Sequence, residues 1–274
     1  MTKKRSLGQR LLGAPYVLWA AIFIVVPLLI VVYYSFTDAN GAFTMENIKA
    51  LADYKEVFWI SIEYSFIATV ITLLISYPFA YLMSRKKEST QRIMMMLVML
   101  PMWMNLLIRT YSWMNILEKN GIINNLLGLI GIEPLKMIGT PGAVIFGMIY
   151  NYIPYMILPI YSVMAKIEPS ILEAAEDLGS NGFSKLHRII LPLSMPGVVS
   201  GFTMVFVPSV STFYISQKLG GKIMLVGDAI EKQIQSLYNY NLGAALSLVL
   251  MVLILISMAL MKKFAGDDGD NLLV

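Results

Sequence analysis

The residues best suited to chemistry in this sequence are charged and aromatic side chains set within or beside long apolar runs. Arg109 lies inside the apolar segment NLLIRTYSW, and Glu63 lies near the start of another such segment. A charge within a membrane span is costly, so Arg109 is either a functional group or a structural one that is paired or reaches the interface. Glu63 is a candidate partner for Arg109 or a group that attracts cations, with a simple interfacial position as the alternative.

A polar and aromatic cluster ends a later apolar run, directly after Pro208. Its central residues are Thr212, Phe213 and Tyr214. Because aromatic faces attract organic ammonium ions, the cluster predicts a gate or contact site for a cationic solute. An aromatic belt at the membrane surface would explain the same residues. Further candidates for lining a pathway, all polar side chains in apolar surroundings, are Asn105, Asn151 and Tyr152.

The motifs of common enzymes are missing from the sequence. There is no G-x-x-x-x-G-K-[ST] loop, so the chain does not bind ATP through a P-loop. The sequence has no cysteine, and its single histidine, His187, excludes a site built from several histidines. We therefore predict no catalytic residues, no metal and no cofactor.

The composition is that of an integral membrane protein. Hydrophobic residues make up 57% of the 274 residues and charged residues only 14%, whereas soluble domains have about 25% charged residues. The formal net charge of +4 comes mostly from basic residues at the ends of apolar runs. Membrane topology explains these residues, so the sequence predicts contact with membrane lipid and no binding of nucleic acid.

Six segments are apolar over the roughly 20 residues that a membrane helix needs. In chain order they are Ala14–Ser35, Ile60–Met83, Ile93–Ile116, Ala143–Met164, Met195–Ser216 and Leu242–Met261. Thirteen Lys and Arg residues fall on the predicted cytoplasmic side and seven on the opposite side, with Arg109 inside the third span. The positive-inside rule therefore places both termini in the cytoplasm.

These spans define the expected domain organisation. Residues 1–59 hold the first span, which we interpret as uncleaved, and an outer loop. Residues 60–262 form the membrane core, and residues 263–274 form a cytoplasmic tail. Two outer segments, 121–131 and 226–237, have the pattern of short surface helices.

Proline and glycine predict how the core helices pack. Five of the six spans contain proline, which indicates bent helices around a pathway or, alternatively, ordinary helix curvature. Gly197 and Gly201 have the spacing of a close helix contact, although glycine is common in membrane helices and chance would also produce the pair.

The longest polar stretch between two spans, Ile167–Leu193, has the pattern of a helical hairpin on the cytoplasmic side. Pro169 suits a first helical turn, and Ser170 with Glu173 predicts a capping box. Gly179 stands where a glycine ends a helix. One face of the first helix would consist of apolar residues at helical spacing: Leu172, Ala175 and Leu178.

The spacing within this hairpin resembles the cytoplasmic loop of permease subunits of bacterial ABC importers. The matching pattern is EAA, three residues, Gly, nine residues, Ile, one residue and Leu-Pro, at Glu173, Ala174, Ala175, Gly179, Ile189, Leu191 and Pro192. The resemblance implies an all-α membrane protein with six transmembrane helices and the type I (MetI-like) permease fold. It also implies that the hairpin couples to an ATPase through Glu173, Ala174, Ala175 and Gly179.

Three longer segments resemble the B-type permeases of spermidine/putrescine importers. They are PMWMNLLIRTYSW, GTPGAVIFGMIYNYIPYMILPIYSVMAKIEPSILEAAEDLG and PSVSTFYISQKLGG. This resemblance implies a multi-pass protein of the bacterial plasma membrane with a polyamine substrate. The implied partners are a second related permease, two ATP-binding subunits and an extracytoplasmic solute-binding protein.

Two alternatives remain open at the level of the sequence. The chain could be an ABC importer permease for another solute, such as ferric iron, sulfate or a phosphonate. It could also be a secondary carrier or a membrane enzyme that works without ATPase subunits. The lack of an internal repeat argues against a carrier.

Overall fold

The computed structural model describes residues 15–265, and helices dominate this part of the chain. In chain order the helices are α1 Pro15–Ser35, α2 Glu46–Ala50, α3 Lys55–Ser84, α4 Glu88–Trp103, α5 Leu106–Leu117, α6 Ile122–Leu129, α7 Pro141–Met164, α8 Pro169–Asp177, α9 Gly182–Ser211, α10 Tyr214–Leu219, α11 Val226–Glu231 and α12 Tyr240–Ala265. Ala14, at the start of the first predicted span, and residues 266–274 of the predicted tail lie outside the described residues.

Five helical segments are long and apolar enough to cross a membrane, and a bent pair supplies a sixth if it counts as one span. The five are α1, the segment Glu46–Ser84 that contains α3, α7, α9 and α12. Each of these segments overlaps one predicted span, although the segment at the second predicted span begins earlier than predicted and the one at the fifth differs at both ends.

The third predicted span, Ile93–Ile116, is not one straight helix. Helix α4 and the segment Leu106–Leu129 meet at a bend of 89°. The proline at position 101 lacks a backbone donor, and the chain tightens there into a 3₁₀ turn over Leu100–Trp103. Asn105 then begins α5, because its side-chain oxygen accepts the Leu107 N–H at 2.7 Å. Proline and a capping asparagine together therefore break the predicted span.

The fifth predicted span, Met195–Ser216, also has different ends in the structure. Helix α9 begins at Gly182, within the hairpin, and runs without interruption to Ser211. A π-helical turn over Leu186–Ile190 precedes Pro192, so the helix passes this proline without a break. At the other end, Thr212 is extended and α9 stops before the predicted boundary.

The described residues form two compact units. The first contains residues 15–55 and 229–252. Within it, the Asn241 side chain donates to the Thr37 carbonyl at 2.6 Å, and the Gln233 side chain donates to the Tyr54 hydroxyl at 2.7 Å. These bonds fix the loop after α1 and the turn before α3 within this unit.

The second unit contains residues 56–228 and 253–265, and its core lies around α3, α7 and α9. A methyl group added at Gly197 would lie 2.8 Å from the Pro159 carbonyl oxygen, and one added at Gly201 would lie 2.8 Å from Met156 Sδ. The predicted close helix contact is therefore confirmed, with α7 as the neighbour of α9.

The two predicted outer helices differ in their surroundings. Helix α6 confirms the first, and α11 with the π-helical turn Lys232–Ser236 matches the second in extent. The start of α11 is not on the surface, however. Val226 is fully buried, and its N–H donates to Ser61 Oγ at 2.8 Å. A buried apolar residue whose backbone is bonded to α3 belongs to the core of the second unit.

Candidate pathway cluster and cytoplasmic hairpin

The end of α9 brings together several of the residues predicted to line a pathway. Thr212 is buried and ends the helix in an extended conformation, and Phe213, which follows it, is exposed. The Tyr152 hydroxyl of α7 donates to the Pro208 carbonyl at 3.3 Å. Tyr152 thus connects α7 to the end of α9.

Arg109 is buried, with only 8% of the residue exposed, and it is not neutralised within the described residues. Its Nε and Nη1 atoms have no hydrogen-bond partner there. The proposed pairing with Glu63 is wrong, because Glu63 is exposed on α3 and the two side chains form no ion pair. A buried guanidinium without acceptors is costly, so water or another chain must satisfy these atoms.

Asn105 is the N-cap residue of α5. Its side-chain oxygen caps α5 at the 89° bend, as described above, and the residue is exposed. Removing the cap would cost about 1 kcal/mol. This role explains the asparagine without any solute, and a contact with solute stays a prediction.

Tyr214 lies in an aromatic pair with a residue that the sequence analysis did not identify. The rings of Tyr111, on α5, and Tyr214, on α10, are 6.2 Å apart and meet edge to face. The Lys218 ammonium lies 5.0 Å from the Tyr111 ring centre and 5.6 Å from that of Tyr214. Tyr214 and Lys218 are four residues apart on one helix, a spacing that could have indicated their contact. The contact with Tyr111 is tertiary and has no such signal.

The hairpin that the sequence predicts to be cytoplasmic begins at a different residue from the one predicted. Glu168, not Ser170, is the N-cap residue of α8, and Pro169 occupies the first turn. The predicted capping box is therefore wrong, because Pro169 places Ser170 inside the helix. The Ser170 hydroxyl instead donates to the Glu168 carboxylate at 3.2 Å.

The end of α8 confirms the predicted glycine stop. Gly179 has φ +79°, a left-handed conformation that favours glycine. The Ser180 N–H donates to the Ala175 carbonyl at 2.9 Å, and the Gly179 N–H donates to that of Glu176 at 2.8 Å, which is a Schellman motif. The Lys185 ammonium pairs with the Glu176 carboxylate across the turn. The hairpin therefore has a defined shape of its own.

The four residues expected to contact an ATPase differ in their exposure. Glu173, Ala174 and Gly179 are exposed, whereas Ala175 is 7% exposed and lies inside. Direct contact through the Ala175 side chain is excluded in this conformation. The small side chain instead lets α8 lie close to its own protein.

The predicted apolar face of α8 is only partly correct. Leu172 packs against the buried core cluster, but Leu178 is 87% exposed because it is the C-cap residue, where the chain leaves the helix. Phe183, across the turn, is 76% exposed. Two large, exposed apolar side chains on the tip of a hairpin are typical of a surface that binds another protein.

Arg85 joins the base of the hairpin to the α3–α4 turn. Its guanidinium donates to the carbonyl oxygens of Met164 at 3.2 Å and Ile167 at 3.4 Å, at the end of α7. Nearby, the Tyr161 hydroxyl donates to the Gln91 side chain at 2.8 Å. These hydrogen bonds connect the hairpin base to α3 and α4 as well as to α7, so a displacement of the base would also move α3 and α4.

Comparisons with known proteins agree with this architecture. Residues 76–265 match the family described as "Binding-protein-dependent transport system inner membrane component". The chain is 40% identical over 246 residues to the spermidine/putrescine transport system permease protein PotB of Haemophilus influenzae, covering 86% of each chain. It is 34% identical over 245 residues to PotB of Escherichia coli K12, covering 85% of this chain and 89% of that protein.

Solved structures with the same fold include a bacterial ABC transporter that imports the acidic polysaccharide alginate. The TM-score is 0.77 at 16% sequence identity, with 96% of each chain covered. The same score and identity hold for that transporter in complex with an alginate pentasaccharide-bound periplasmic protein. At this identity the likeness establishes the fold alone.

Proposed function

Because this chain belongs to the family of binding-protein-dependent transport system inner membrane components, we propose that it is the permease of a polyamine importer carrying spermidine and putrescine. It is a multi-pass inner membrane protein with the type I ABC importer fold. The observation that carries the proposal is its similarity to spermidine/putrescine permeases along most of both chains. The fold alone does not identify the solute, since a transporter of an acidic polysaccharide has the same fold.

The pathway cluster supports a cationic solute. Tyr111 and Tyr214 already hold one ammonium group, that of Lys218, over their rings. Exposed Glu63 would attract cations, and Thr212, Phe213 and Asn105 would line the route. Arg109 carries the same sign of charge as a polyamine and would repel it, so we assign Arg109 no direct contact with the solute.

The proposed complex contains this chain, a second related permease, two ATP-binding subunits and an extracytoplasmic solute-binding protein. The exposed tip formed by Leu178 and Phe183, with Glu173 and Ala174 on α8, supports contact with an ATPase. Ala175 would act from inside by holding α8 in place. Residues 60–262 would form the transporting core, flanked by residues 1–59 and 263–274.

The continuity of α9 suggests how ATP-driven movement reaches the pathway. One 30-residue helix, about 45 Å long, runs from the hairpin to the break at Thr212. Closure of the ATPase pair would pull the hairpin and shift the whole helix, opening the pathway outward. Hydrolysis would return the complex to an inward-facing state. This is alternating access driven through one continuous helix.

The test is reconstitution of the co-purified complex in liposomes with its binding protein. We expect uptake of labelled spermidine and putrescine that requires ATP. Uptake of ferric iron, sulfate or a phosphonate in place of polyamines would refute the assignment of the solute. Polyamine uptake without ATP or ATPase subunits would instead indicate a secondary carrier.

A further inference from the structure

Lys218 occupies the aromatic pair of Tyr111 and Tyr214 in the way an amine ligand would. Its ammonium lies within about 6 Å of both ring centres, the usual limit for cation–π attraction. One charged group therefore meets the faces of two rings, which together form a small receptor for an ammonium ion.

The pair is accessible and is made by tertiary packing. Tyr111 is 42% exposed, so a second amine can approach its ring. The two tyrosines come from α5 and α10, and Tyr111 lies two residues after buried Arg109. Tyr214 begins α10 directly after the Thr212–Phe213 break. The receptor thus adjoins the proposed pathway rather than a remote surface.

We propose that Tyr111 and Tyr214 form an amine-binding subsite, and that Lys218 is a tethered competitor which an arriving substrate ammonium displaces. The inference rests on the proposed function, because it assumes that the solute carries ammonium groups. The lysine keeps the two rings in place while the subsite is empty. It also lowers the apparent affinity, since the substrate must first displace a cation held on a short tether.

The size of the effect follows from the strength of cation–π contacts at exposed sites. Removing the competitor should strengthen polyamine binding by about two- to fivefold. Retaining a cation in the same place should leave the affinity near that of the wild type. Removing the rings should weaken binding, and this loss should be visible even when Lys218 is absent.

The experiment measures equilibrium binding of radiolabelled spermidine to the purified complex in detergent, without the solute-binding protein. We expect Lys218→Gln to lower the dissociation constant by about two- to fivefold, and Lys218→Arg to change it little. Tyr214→Leu in the Lys218→Gln background should reverse the gain. The matched control is Lys222→Gln, which removes an exposed lysine four residues away and should have no effect.

The outcomes separate this inference from the proposed function. Unchanged or weaker spermidine binding in Lys218→Gln, in a complex that still assembles, overturns the subsite, as does a gain that survives Tyr214→Leu. If wild-type liposomes import spermidine but Lys218→Gln does not bind it more tightly, only the subsite fails. If the wild-type complex neither imports nor binds polyamines, the proposed function fails and the subsite fails with it.

Discussion

Single glycines of α9 determine how closely this helix approaches α7. At Gly197 the nearest groups are the backbone of Pro159 and Ile160, neither of which can move aside like a flexible side chain. At Gly182, by contrast, an added methyl group would meet nothing within 4 Å. The two positions therefore provide a matched pair within one helix.

We predict that Gly197→Ala destabilises the protein and that Gly182→Ala does not. The added methyl group at Gly197 would overlap the Pro159 carbonyl and force the helices apart, at a cost of about 1–3 kcal/mol. Thermal unfolding of the purified protein in detergent measures the difference as a lower Tm for Gly197→Ala alone. Equal melting temperatures for the two variants would contradict the close contact.

Local sequence rules predicted the conformation of some residues correctly. They failed where tertiary packing or a neighbouring residue determined the conformation or the contact. Gly179 was predictable because a left-handed helix stop has its own chemistry. Ser170 was mispredicted as the N-cap because Pro169 is the first helical residue, which places the N-cap two residues earlier, at Glu168. The pairing of Lys218 with Tyr111 could not be predicted, since the two residues are far apart in sequence.

The hairpin made by α8 and the start of α9 is the element through which an ATPase would act. We predict that Glu173→Arg reduces ATP-driven uptake by more than about tenfold, while the protein stays in the membrane. The reason is that Glu173 is exposed on the proposed contact face, where a reversed charge would meet the same partner surface. Uptake and ATP hydrolysis are measured together in liposomes.

Glu133→Arg serves as the control for this charge reversal. Glu133 is equally exposed but lies in the loop after α6, on the predicted outer side. The Glu133→Arg variant should take up polyamine at the wild-type rate. Normal, ATP-coupled uptake by Glu173→Arg would refute the coupling role of the hairpin.

The connection between the hairpin base and the α3–α4 turn gives a second prediction for this element. Arg85→Gln should reduce transport by a few-fold, because two carbonyl oxygens near the end of α7 lose a charged donor worth about 1.5–3 kcal/mol each. Lys86→Gln removes a neighbouring exposed charge and should retain wild-type uptake. An Arg85→Gln variant with wild-type uptake per assembled complex would show that the connection carries no motion.

At this scale the sequence predicted the number of apolar segments better than their shape. Hydropathy located six segments because each needs a continuous apolar surface. It could not show that α9 continues through Pro192, since a π-helical turn absorbs the proline. Nor did it show the 89° bend, because Asn105 was interpreted as a residue lining a pathway and not as the N-cap of a new helix.

For the whole molecule, charge and helix count must give one consistent topology. The positive-inside rule puts the α3–α4 turn and the hairpin in the cytoplasm, on the same side as both termini. That arrangement requires an even number of crossings, so α4 with the segment Leu106–Leu129 must cross the membrane once despite its bend. If this pair were a re-entrant loop, only five crossings would remain and the termini would lie on opposite sides.

The absence of cysteine from the sequence allows a direct test with single-cysteine variants. Lys87 and Glu133 are both exposed and flank the bent pair, one before α4 and one after α6. We predict that a membrane-impermeant maleimide labels Glu133→Cys in intact cells and labels Lys87→Cys only after the membrane is permeabilised. Labelling of both from the same side would make the pair re-entrant. With only five crossings left, the hairpin and the N-terminus would lie on opposite sides of the membrane. One of the two would then not be cytoplasmic.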